Sequence, residues 1–222
     1  MPARCLTDET LTVHPFDVLA QVHESSNLPI HALLCDEGKP RHDVSTRTPL
    51  RCVHMGPPFG SMQVHCHAVA SAGLEESHRM KIKTFVYDRR KERDAHKARL
   101  SLLGSRAELK QEYRIHPPAT PPDANFPLWR FSCVGFVLKA YEAARIRLLD
   151  AEMPPRSVED LKRFYPWAAS QLDDAGVRQR LGLGDGVRWP VALVGYVLNS
   201  MARQHSEIHT TPHVAQAEFF PR

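Results

Sequence analysis

The sequence predicts an α+β fold, a small antiparallel sheet packed on a helix that carries a cysteine, with further helices after it. Three observations predict this. Segments of strand character fall before residue 71, helical periodicity dominates after residue 133, and no β-α-β alternation links the two halves. With 222 residues, 42% of them hydrophobic, and a mean hydropathy of −0.37, the chain is long enough for one soluble globular body with an appended subdomain. The expected organisation is a core over residues 1–150 and a helical extension over 151–222 packed on it.

Residues 1–15 read as an irregular lead-in. Phe16 to Val22 reads as a first strand, and Ser25, Ser26, Asn27 and Pro29 as turn residues. Ile30 to Cys35 reads as a second short strand, closed by Asp36-Glu37-Gly38. Residues 39–61, rich in Pro, Gly, Arg and Thr, read as a long loop. Met62 to Ala70 alternates in a period of two and reads as one strand. Residues 80–114 are charge-dense. The nine Lys/Arg against four Asp/Glu between Arg89 and Arg114 could suit nucleic acid, but no aromatic residue is interleaved up to residue 112, so a solvated helical face is expected. Five prolines over 115–128 make an extended approach to Cys133. Val134, Val137, Leu138, Tyr141, Arg145 and Leu148 recur at helical spacing, predicting a helix over 133–149 with Ser132 as its N-cap. Ser157 and Asp160 mark another helix start, running to Phe164 and stopped by Pro166. Pro190 is expected to open the last clear helix, and the tail from His205 is expected to fray.

Chemistry concentrates at Cys133. A thiol in the first turn of a helix faces unpaired N–H groups and the positive end of the helix dipole, and both favour thiolate. A thiolate nucleophile needs a base, and that base needs an orienting group. His31, His65 and His67 are the strand histidines that could serve.

The segment Ser132-Cys133-Val134-Gly135-Phe136-Val137 resembles the nucleophile motif of NlpC-type papain-like cysteine peptidases. Here the candidate histidines precede the cysteine, an order that resembles the circularly permuted branch of that clan, with its lecithin retinol acyltransferase relatives. Asp17-Val18-Leu19, His31 to Gly38, Val64 to Ala68, and the Gly73 turn resemble the successive parts of the permuted pattern, over about residues 16–150. Ser132 and Val134 depart from it, standing where the motif usually has Asp and Ser. The resemblance implies Cys133 as nucleophile, His31 as general base and acid, and His67 as the residue that orients His31. It implies a circularly permuted papain-like core and a thiol hydrolase or acyltransferase acting on an amide or ester, peptides among them, with no cofactor.

Two other readings accompany it. His65 and His67, on one face of a strand, form a pair of the kind that ligates metals. The fold could also serve as a non-catalytic interaction module. The five scattered cysteines, at positions 5, 35, 52, 66 and 133, form no C-x-x-C pair, so neither a disulfide framework nor a four-cysteine zinc site is expected. No apolar run reaches bilayer length and the N-terminus lacks a signal-type apolar core, so a cytoplasmic protein with neither membrane span nor nucleic-acid partner is expected.

Overall fold

A computed structural model describes residues 4–5, 11–23, 26, 28–56, 59–103, 112–150 and 152–212. The chain is mixed α+β. Its centre is a six-stranded antiparallel sheet of β1 (Arg4–Cys5), β3 (Val18–Val22), β4 (Pro29–Cys35), β6 (Leu50–His54), β7 (Gly60–Val64) and β8 (Ala68–Ala70), in the order β1-β8-β3-β4-β6-β7. A two-stranded sheet of β2 (Leu11–Val13) and β5 (Arg41–Val44) accompanies it.

Period-two alternation divides the central sheet into two buried faces. Val18, Ala20, Ala32, Leu34 and Val53 pack into the larger cluster, with the helices. Leu19, Leu33, Cys35, Leu50, Cys52 and Val64 pack on the other side, with Val13 and Val44 of the β2–β5 pair. Strands buried on both faces read as nearly continuous apolar runs, and Leu33-Leu34-Cys35 is one.

Two expectations about this sheet are corrected. Residues 39–61 are not a long loop; they supply β5, β6 and the first residues of β7. The polar and basic residues there occupy exposed positions (Arg41, His42, Arg51, Ser61), while Val44, Leu50, Cys52 and Val53 are buried and drive the pairing. Residues 62–70 are not one strand either. Pairing stops at Val64 and resumes at Ala68, because β7 lies beside β6 at one edge while β8 crosses to pair with β3 and β1.

Helix α1 (Glu76–Leu103) occupies the charge-dense region, and its outer positions are largely exposed. Short strands β9 (Ala119–Thr120) and β10 (Arg130–Phe131) pair immediately before α2 (Cys133–Ala143). Helix α2 is shorter than the sequence pattern suggests. Arg145 adopts φ 64, a left-handed conformation that ends the helix, and the N–H of Ile146 bonds back to the Tyr141 carbonyl at 3.0 Å. Leu148 therefore packs from a loop rather than from the helical stripe.

After α2 come β11 (Pro155–Ser157), α3 (Val158–Phe164), a 3-10 turn over Pro166–Gln171, α4 (Ala175–Arg180), β12 (Arg188–Pro190), α5 (Val194–Met201) and α6 (His205–Thr210). Ser157 caps α3 with the full reciprocal capping box to Asp160. Pro190 does not open a helix. It ends β12, opposite Pro155, and α5 begins four residues later. Leu161, Tyr196 and Ile208 lie in the same buried cluster as Cys133 and Val134, so the apolar core runs on without a break past residue 150.

Candidate functional site

Cys133 is the first residue of α2. Ser132 precedes it in extended geometry and accepts from the Gly135 N–H at 2.9 Å, so the N-cap works as the sequence implies. The strap over residues 117–120 crosses this helix start. Its Pro118 carbonyl accepts from the Ser132 N–H at 2.9 Å, and a Cβ on Gly135 would stand 1.6 Å from that oxygen. Gly135 is therefore required by close backbone approach.

The Cys133 thiol is buried, with the Ala32 and Val134 amides and the Tyr113 hydroxyl as its partners. The Ala32 contact follows from the register. Cys35 donates to Asp17 across β3–β4, so alternate residues of β4 bond to β3 and the Ala32 N–H points the other way. On that side β6 pairs with β4 at Leu34 and Cys35, nearer the strand's end, and the sulfur sits where the two strands have parted.

His31 does not meet His67. Its Nε2 lies 2.8 Å from Nδ1 of His54, with the two rings edge to face at 5.0 Å. His54 ends β6, the strand next to β4, in the stretch that the sequence pattern assigns to a loop. The available signal was Leu50-Arg51-Cys52-Val53-His54, whose apolar positions mark a buried strand with a histidine at its end. His67 lies on the far side of β3, where its Nδ1 accepts from the Val22 N–H at 3.1 Å. His65 is exposed, with Nδ1 3.2 Å from the Thr46 carbonyl. The expected His65/His67 face does not form, because both residues fall in the break between β7 and β8. No group of three or more His, Cys, Asp or Glu side chains is placed to hold a metal among the described residues.

The electrostatics also correct an expectation. Burial pushes the Cys133 thiol above its ordinary value, outweighing the lowering by the amides and Tyr113. Burial likewise lowers His31 to about 3, assisted by the neighbouring His54, and burial lowers His54. The resting site therefore holds a neutral thiol and neutral imidazoles, not a thiolate–imidazolium pair. Loss of water around the sulfur outweighs the pull of the helix N-terminus. Tyr113 and Tyr165, both buried around Cys133, are raised well above the usual phenol range, mainly by burial.

Chemically, the arrangement can hold a nucleophile at a helix N-terminus, a base whose Nδ1 is left over by its bond to His54, and that second histidine as the base's anchor. No helix among the described residues is long and apolar enough to cross a membrane. The chain matches no family model, no curated protein and no solved structure.

Proposed function

We propose that the chain is a thiol-dependent hydrolase or acyltransferase with a circularly permuted papain-like core, acting on an amide or ester through a thioester at Cys133. The observation that carries this reading is the conjunction of Cys133 at the α2 N-terminus, the influence on its thiol of the Ala32 amide next to His31, and the His31–His54 pair. His31 Nδ1 takes the thiol proton as the sulfur attacks the carbonyl carbon, and the resulting imidazolium donates from Nε2 to His54. The developing oxyanion is held at the helix N-terminus, where the Cys133 N–H has no intrahelical acceptor. His31 then returns the proton to the departing nitrogen or oxygen, leaving the thioester. Water, or a second acceptor, gives its proton to His31, attacks the thioester and regenerates the thiol.

A second reading, an interaction module without turnover, is favoured by one specific feature. Strand alternation assigns His31 to the Leu33 side of β4, while Cys133 packs on the Ala32 side. Contact thus depends on the sulfur staying at the open margin between β4 and β6. Intact-mass analysis after incubation with activated acyl esters and anilides separates the two. The hydrolase reading expects a single acyl adduct on Cys133, lost in Cys133→Ser and slow to form in His31→Ala. Lack of an adduct across both substrate classes, or hydrolysis unchanged in Cys133→Ser, overturns it.

A further inference from the structure

Two cysteines face each other across the strands that carry His31 and His54. At the end of the β4–β6 ladder the Asp36 N–H donates to the Arg51 carbonyl at 2.8 Å, which makes Asp36 and Arg51 a hydrogen-bonded pair. The next pair along, Cys35 and Cys52, is therefore a non-hydrogen-bonded one. The Cys35 N–H agrees with this, since it donates to the Asp17 carbonyl at 2.9 Å, away from β6. Residues opposite each other in such a pair have Cα atoms about 4.5 Å apart, and disulfides span Cα separations of about 4.4–6.8 Å. Both cysteines lie on one side of the sheet, in the cluster of Leu33, Leu50 and Val64, and both are buried free thiols.

Alternation puts the two histidines on that same side, with His31, Leu33 and Cys35 along β4 and Leu50, Cys52 and His54 along β6. The paired register of these strands covers Leu34–Val53 and Cys35–Cys52. The cysteine pair is thus the last cross-strand pair on that side before the margin that the His31–His54 bond spans. Spacing along the chain does not reveal it, because register makes it. Cys66 is a third buried thiol of the cluster and acts on Cys52. Burial pushes Cys35 up to about 12, and the Cys66 thiol together with burial pushes Cys52 up as well, so both stay protonated and unreactive in the folded chain. A link between them has to form before the core around them closes.

We infer that Cys35 and Cys52 are the site of a cross-strand disulfide, made during folding by exchange with a small-molecule disulfide such as oxidised glutathione, which pins β4 to β6 beside the histidine pair. One cysteine thiolate attacks a glutathione sulfur and releases one glutathione. The other cysteine thiolate then displaces the second glutathione from the mixed disulfide. The S–S bond of oxidised glutathione breaks and that of Cys35–Cys52 forms. The two protons and two electrons that the cysteines give up end on the two released glutathione thiols. The register carries the link by itself; only its bearing on acyl transfer rests on the proposed thiol chemistry.

The full chain carrying Cys5→Ser is refolded from urea in mixed oxidised and reduced glutathione, alkylated in urea, and cleaved at Arg, Lys and Met. That cleavage puts Cys35, Cys52, Cys66 and Cys133 on separate fragments. Mass analysis is expected to find the Cys35 fragment joined to the Cys52 fragment, with Cys66 and Cys133 alkylated. The linked chain is expected to unfold at higher urea than the same chain kept reduced, because the link constrains the unfolded state. Cys35→Ala is expected to abolish that gain, and the fragment map decides the matter if this variant does not fold. A fragment joining Cys52 to Cys66, alkylation of all four thiols, or equal urea midpoints for the linked and reduced chains overturns the inference. Acyl adducts on Cys133 in a chain that forms no Cys35–Cys52 link would reject the disulfide and leave the hydrolase standing. The link in a chain that takes no acyl group would do the reverse.

Discussion

His54 is the residue whose removal most sharply tests the site. It touches His31, whereas His67 touches the backbone of Val22 across another strand. If the proposed chemistry holds, His31→Ala should lower acyl transfer by about 10³-fold or more, since the proton carrier is lost, and His54→Ala should lower it by roughly 10–100-fold, since an anchor is lost. His67→Ala should leave the rate within about twofold. Rates for the three variants on one activated ester check this order, and a larger effect from His67 than from His54 would refute it. Reactivity of Cys133 in the resting protein belongs to the same scale. With Cys133 1% exposed and its thiol pKa raised by burial, iodoacetamide should label it in the native protein at least about tenfold more slowly than in urea at the same pH. Peptide mass analysis of timed aliquots reads this directly, and native labelling at the unfolded rate would mean that the sulfur is accessible after all.

At the scale of the element, the start of α2 depends on two small residues. Ser132→Ala removes the side-chain acceptor for the Gly135 N–H and is expected to cost about 1 kcal/mol in urea denaturation. Gly135→Ala puts a methyl group into the Pro118 carbonyl, which the strap over 117–120 cannot avoid without moving away from the helix start. Overpacking of this kind costs about 1–3 kcal/mol and sometimes more. Because the moving strap carries the acceptor of the Ser132 N–H, Gly135→Ala should also lower any activity at Cys133, whereas Ser132→Ala should chiefly lower stability. Equal stability for wild type and Gly135→Ala would contradict the close approach.

At the scale of the whole molecule, the part-buried histidine pair links folding to pH. His31 has its folded pKa depressed to about 3 from an ordinary 6.5, so between those values the unfolded chain binds a proton that the folded chain does not. The stability it contributes is present above about pH 6.5 and is lost as pH falls toward 3. His54, also lowered, acts in the same direction. Asp17 and Glu112, whose carboxyls are raised by burial, act oppositely: what they contribute is present below the ordinary carboxyl range and is lost as pH rises through their folded values. Urea midpoints measured from pH 7 to 4 should fall, and the fall should be smaller in His31→Gln. An unchanged slope in that variant would remove His31 as its source.

The local elements were legible because their causes are local. Ser132, the capping box of Ser157 and Asp160, the strand ending at Cys35 and the long charged helix all follow from side chains within a few positions of one another. The break between Val64 and Ala68, the late start of α5 and the two strands hidden whole in residues 39–61, β5 and β6, were not legible, because pairing partners far along the chain decide them. The same division runs through the candidate site. The sequence by itself determined that Cys133 opens a helix and that His31 sits on a strand. Tertiary structure alone decided that His54 rather than His67 meets His31, since which strand lies next to β4 depends on the order of the whole sheet. It also decided the charge state of the thiol. A helix N-terminus favours thiolate from local geometry, but the burial that opposes it is built from β4, Tyr113 and Tyr165, which come to Cys133 only when the chain has folded.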